Sequence, residues 1–202
     1  MTMRAPSLIN AVETGKAILV WDPLVRIFHW SLVIAFFSAY LLGDDGGQLH
    51  QVFGYTVIGL VALRLIWGLI GSRHARFASF IPSYSKLLAY TKDVLAHREA
   101  RYLGHNPAGA AMIVVLLVAL AGTGATGWML TTDAFWGNDA VAEVHELLAN
   151  STLFLIGLHV AGVIFSSLRH RENLVRAMFS GRKRPLQTEA HLSSGAKIDA
   201  DQ

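Results

Sequence analysis

The chain is 202 residues long, carries a formal net charge of +3, and is 53% apolar but only 15% charged, against about a quarter charged in an average soluble domain. Membrane residence is therefore the first expectation, and at about 20 apolar residues per crossing the length accommodates four spans in one small domain. The absence of cysteine excludes disulfides, iron-sulfur clusters, thiolate zinc sites and a covalently attached C-x-x-C-H haem on this chain.

Residues 1–16 are polar, with acidic and basic groups mixed. They lack the apolar core and small-residue cleavage site of a secretory signal, so the first hydrophobic segment is expected to be retained. Apolar windows follow at 24–42, 51–70, 108–130 and 141–168, each long enough to cross a bilayer. The breaks at 43–47 and 131–140 are short, and short connections force antiparallel neighbours. The predicted fold is all-α: an integral membrane four-helix bundle, up-down-up-down, spanning residues 20–180 between tails at 1–19 and 181–202.

Charge sets the expected direction, because Lys and Arg concentrate in cytoplasmic segments. The break at 73–107 carries Arg73, Arg76, Lys86, Lys92, Arg98 and Arg101, and the C-terminal region carries Arg169, Arg171, Arg176, Arg182, Lys183 and Arg184. The other two breaks hold Asp44, Asp45, Asp133 and Asp139 and no Lys or Arg. Both termini are thus expected in the cytoplasm and the acidic breaks outside. This sidedness accounts for the sequence pI of about 9.4, and no stacking aromatics are interleaved with the basic residues, so nucleic acid is not an expected partner.

Within the basic break, Tyr84, Leu87, Leu88, Thr91, Val94 and Leu95 recur at helical spacing. They predict either an amphipathic helix lying on the membrane surface or a short solvated loop helix. Trp21, Trp30, Trp128 and Trp136 fall near span boundaries and read as interfacial anchors. Asn106-Pro107 reads as an N-cap and first-turn proline opening the third span. Asp44 and Asp45 read as a solvated turn.

Ionisable groups inside a membrane are costly enough to be functional candidates, and imidazole is a common iron ligand. Of the 9 histidines, His74, His97, His105, His170 and His191 fall in loops or tails, whereas His29, His50, His145 and His159 fall within spans or at their ends. His145 and His159 are 14 residues apart, which on a helix is about 21 Å of rise with an angular offset of only about 40°. His50 opens the second span as His145 opens the fourth, making an outer pair. His29 precedes Gly43 by 14 residues, at the depth of His159, making an inner pair.

No carboxylate or thiolate shares these depths, whereas bis-imidazole haem needs only two neutral imidazoles from facing helices. Two haem b groups are therefore expected, with no open iron position, favouring outer-sphere electron transfer. The plain alternative for these histidines is intramembrane hydrogen bonding.

Arg64 follows His50 by 14 residues, on the same face at the inner level, where a haem propionate would satisfy it; snorkelling to lipid phosphate is the alternative. Arg26, one turn before His29, is read as a further cofactor contact or a headgroup anchor. Gly54, four residues after His50, and Gly157 and Gly162 beside His159 would let a flat macrocycle approach the backbone. Gly122, Gly124 and Gly127 would do the same or, as the stronger reading, pack helices. His105 is a candidate for the wall of a cytoplasmic quinone pocket.

The stretches Val20-Trp21-Asp22-Pro23-Leu24-Val25-Arg26-Ile27-Phe28-His29-Trp30, His50-Gln51-Val52-Phe53-Gly54-Tyr55, Gly104-His105-Asn106-Pro107 and His145-Glu146 with His159 resemble the bacterial cytochrome b561 and nickel-iron hydrogenase cytochrome b subunit superfamily. The resemblance implies a four-helix diheme electron carrier of the bacterial inner membrane exchanging electrons with the quinone pool, with the family's ligands falling on His29, His50, His145 and His159. It leaves the branch open among hydrogenase membrane anchors, carriers working with c-type cytochromes, and a quinone-linked superoxide oxidase. The acidic outer breaks would repel superoxide. Quinone oxidoreductase activity is compatible with any branch.

Overall fold

The computed structural model describes residues 18–44, 47–72 and 75–184. Asp45, Arg73, His74 and His191, most of the N-terminal tail and residues beyond 184 lie outside the described residues. Nine elements run in chain order: β1 Ile18–Leu19, α1 Pro23–Leu41, α2 Gln48–Ile70, α3 Phe77–Phe80, α4 Tyr84–Leu95, α5 Pro107–Leu130, α6 Asp139–Arg169, α7 Leu174–Ser180 and β2 Arg182–Lys183.

The helix starts are written in short polar side chains. Asp22 accepts from the Leu24 amide at 2.8 Å and Pro23 occupies the first turn of α1. Asn106 does the same for Gly109 at 2.7 Å, followed by Pro107. Asn138 and Asn173 cap α6 and α7 through Val141 and Arg176. Each cap satisfies an amide that the first helical turn leaves without a partner.

Four helices, α1, α2, α5 and α6, are long and apolar enough to cross a membrane. α1 packs on α2, α2 on α5, and α5 on α6. Their shared core is small: Ala35, Phe36, Val57, Val61 and Leu120, with Leu153 and Ile156 against it. Most of the apolar surface faces outward instead, as at Ile34, Leu41, Leu63, Leu69, Val118, Phe154 and Ile164, each more than half exposed. In water each such side chain forgoes about 1.5–3 kcal/mol of burial, so a hydrocarbon surround is the medium in which this exterior is stable.

Three short helices and a two-stranded ribbon accompany the four spans. α4 forms where the amphipathic stripe predicts it, but the stripe divides: Leu87, Tyr90 and Val94 turn toward the protein, while Tyr84, Leu88 and Leu95 face away. Tyr90 is buried edge-on against Tyr102, with ring centroids 5.8 Å apart.

At this end of the bundle, β1 and β2 pair antiparallel in the register Ile18↔Lys183 and Leu19↔Arg182. The left-handed Gly181, at φ 76°, turns the chain from α7 into β2, a conformation that glycine adopts without a Cβ clash. Glu172 ties the ribbon to the loop before α5, pairing with Arg101 at 2.8 Å and Lys183 at 3.6 Å. Arg169 pairs with Glu99 at 2.6 Å and donates to the His97 carbonyl at 2.7 Å.

Candidate haem-binding site

The first residues of α2 and of α6 stand side by side, so His50 and His145 face each other with ring centroids 6.1 Å apart and planes at 89°. Their Nδ1 atoms are both engaged by backbone carbonyls: His50 with Ala39 of α1 at 2.9 Å, His145 with Thr123 of α5 at 3.0 Å. An N–H donated from Nδ1 fixes the tautomer and leaves Nε2 as the lone-pair nitrogen. A cavity lined by both histidines, Phe36, Tyr40, Gly54, Tyr55, Thr123 and Gly127 opens around them.

His29 of α1 and His159 of α6 lie close enough to interact electrostatically. The His29 ring stands edge-on to Trp30, 5.1 Å between centroids. Its Nδ1 is buried without a hydrogen-bond partner among the described residues. The four intramembrane histidines thus fall into two groups at opposite ends of α6, each drawn from two helices.

Arg64 is 5% exposed. One guanidinium nitrogen donates to the Ala75 carbonyl at 3.1 Å, the cation sits 4.8 Å above the centre of the Phe77 ring, and Nη1 is buried with no partner among the described residues. Snorkelling to the lipid surface is therefore not its arrangement. Arg26 turns away from the headgroup position too: its guanidinium donates to the Phe179 carbonyl at the end of α7, where the helix dipole favours a cation, and its Nε is buried without a partner among the described residues.

A Cβ built on Gly54, Gly157 or Gly162 would meet nothing within 4 Å. Gly124 is different: a Cβ there would lie 2.7 Å from Ile58, so it is a helix-packing glycine, and Gly122 meets Leu148 in the same manner at 3.4 Å. A Cβ on Gly127 would lie 2.8 Å from the His145 ring.

Trp128 and Trp136 are exposed near helix ends, as anchors should be. Trp21 and Trp30 instead pack internally, Trp21 against His105 at 4.5 Å and Trp30 stacked on Phe179 at 4.3 Å. The ribbon and α7 fold back over them, which periodicity alone does not reveal. His105 is held between Trp21 and Phe80, the latter at 4.8 Å. Sequence reasoning passed over Ala39, Thr123 and Thr126, which act through backbone carbonyls or through a hydroxyl common in membrane helices and so give no signal of their own.

Two imidazoles from facing helices, each with Nε2 free and its tautomer set, make up the donor set of a haem protein. Residues 20–181 match the family profile of prokaryotic cytochrome b561. The chain belongs to the prokaryotic cytochrome b561 family. Related proteins agree: the "Probable Ni/Fe-hydrogenase B-type cytochrome subunit" of Rhodobacter capsulatus is 23% identical over 223 residues, covering 87% of this chain and 84% of the relative. Its namesake in Bradyrhizobium diazoefficiens is 23% identical, covering 82% and 85%, and that in Azotobacter vinelandii 25%, covering 68% and 72%. No solved structure matches significantly.

As a member of this family the cytochrome b561 chain is a multi-pass membrane electron carrier whose group is haem b. The residues fit that group. Two imidazoles bound to one iron, at about 2 Å per metal–nitrogen bond, set their ring centres about 6 Å apart, which is the separation of His50 and His145. Gly54 leaves open space beside that pair, and the buried, partnerless Nη1 of Arg64 suits an anionic substituent.

Proposed function

We propose that this cytochrome binds two haem b groups and carries electrons across the bacterial inner membrane between the quinone pool and a redox partner. His50 and His145 are the axial ligands of an outer haem, His29 and His159 those of an inner haem. The carrying observation is the division of the four intramembrane histidines into two facing groups, one with both Nδ1 atoms committed to backbone carbonyls.

Haem b supplies reversible one-electron chemistry. The chain's residues supply position: His145 and His159 on one face of α6 hold the two levels about 21 Å apart along the axis, a separation bridged by one helix. Arg64 offers its unpartnered N–H to an inner propionate, Arg26 adds a second cation near His29, and Gly54 admits the macrocycle edge. His105, held between Trp21 and Phe80, forms the wall of a quinone headgroup site at the inner end.

The basic loops and tail favour the cytoplasmic side and the acidic breaks the periplasm, so the bundle runs up-down-up-down with both termini inside. The names of the relatives favour a nickel-iron hydrogenase as the periplasmic redox partner, ahead of a c-type cytochrome. Superoxide oxidation is the less supported reading, because Asp44, Asp133 and Asp139 surround the outer opening with negative charge.

The test is vectorial. In proteoliposomes holding quinone, a membrane-impermeant reductant at the periplasmic face will reduce the quinone through the native protein. His29→Ala with His159→Ala will abolish that reduction while the outer haem still reduces. Quinone reduction at the native rate in the double variant would overturn the proposal. Co-purification of a hydrogenase with the native chain supports the partner assignment, and co-purification of a cytochrome c without hydrogenase overturns it.

A further inference from the structure

One turn of α5 touches His145 in three ways. The Thr123 carbonyl accepts from its Nδ1 at 3.0 Å, the Thr126 hydroxyl oxygen lies 3.1 Å from the same nitrogen, and Gly127 leaves bare backbone where a Cβ would stand 2.8 Å from its Cε1. Residues at i, i+3 and i+4 share a helix face, so the contacts converge from one side of α5. Thr123 in addition meets the fully buried Thr152 across the helix pair at 3.3 Å, fixing α5 and α6 in register two turns from the ring.

Threonine in an apolar helix ordinarily satisfies its hydroxyl on a carbonyl one turn back. Thr126 does this, donating to Gly122 at 2.9 Å or Thr123 at 3.0 Å. With its proton so engaged, its oxygen presents a lone pair to His145, and the Nδ1–H is shared between two acceptors. Helix packing alone would require neither that second contact nor a glycine at the ring. His29, by contrast, has a buried Nδ1 with no partner among the described residues.

We propose that Thr126, with the Thr123 carbonyl and the bare backbone of Gly127, is the seat that orients His145 and sets the potential of the outer haem. This rests on the ligand assignment above. Acceptors on Nδ1 make Nε2 a stronger donor, which stabilises the oxidised iron and lowers its potential. The glycine permits the ring plane that stands at 89° to His50, and near-perpendicular axial imidazoles give a low-spin ferric signal with a large maximum g value.

Potentiometry and EPR on the purified, haem-loaded protein test this. Thr126→Val, which removes the oxygen but keeps the shape, will raise one of two haem potentials and leave the other in place. Thr126→Ser will restore the native value. Gly127→Ala will turn the ring and move the large-g signal of that haem alone.

With both haems bound, unmoved potentials and signals in Thr126→Val and Gly127→Ala overturn the proposal, as do two haems shifting together. A protein carrying His50→Ala and His145→Ala keeps the two inferences distinct. Loss of the responding signal there upholds the ligand assignment whatever Thr126 does, and its retention overturns the assignment itself.

Discussion

Arg64 shows what a single residue in this fold is asked to do. A guanidinium this enclosed, with a ring beneath it and one carbonyl beside it, needs an anion to offset its desolvation. Arg64→Gln removes that charge and one charge-assisted hydrogen bond, costing about 1.5–3 kcal/mol of stability. If a propionate is the missing anion, the inner haem potential will also fall, since a nearby cation favours the reduced form. A thermal shift without any change in either potential would assign Arg64 a structural role only. The charge and depth of Arg64 were legible from its spacing to His50. Its Phe77 neighbour was not, because α3 follows a break whose path no periodicity describes.

Among elements, the four spans and their caps were legible because each rests on a local rule: an apolar run of bilayer length, or Asp or Asn followed by a first-turn proline. Less visible was anything made by residues distant in sequence. β1 and β2 are two residues each and pair across the whole chain; two-residue strands carry no alternation to read. The stripe on α4 misled in part, since an amphipathic pattern states that a face is apolar and not whether protein or lipid covers it.

The ribbon is held by Glu172, whose side chain, like that of Lys183, is almost fully buried. Burial raises its carboxyl, but the hydrogen bond from Arg101 and the charges of Lys183 and Arg101 outweigh this and hold it below the ordinary carboxylate value. A carboxylate depressed in the folded state contributes stability that is complete above its unfolded pKa and lost as pH falls through the folded value. Thermal unfolding should therefore show the ribbon loosening only below about pH 4.5. Glu172→Gln should cost on the order of 3 kcal/mol and flatten that acid dependence. An unchanged acid limb in Glu172→Gln would show that other carboxylates govern it. Gly124→Ala acts at the α2–α5 contact instead, where overpacking Ile58 should cost about 1–3 kcal/mol.

At the scale of the whole molecule, the site was more legible than most because its geometry follows from one helix. The spacing of His145 and His159 on α6 fixes two levels on one face before any other helix is considered. What a linear reading cannot supply is the set of atoms behind the imidazoles, since carbonyls of Ala39 and Thr123 belong to every sequence alike. Two ligand levels in one bundle are the central claim, and haem stoichiometry with paired substitutions tests it most directly. The native chain should purify with two haem b per polypeptide, His50→Ala with His145→Ala with one, and His145→Ala with His159→Ala with none. One haem in the native protein, or two retained after His145 and His159 are both replaced, would contradict it.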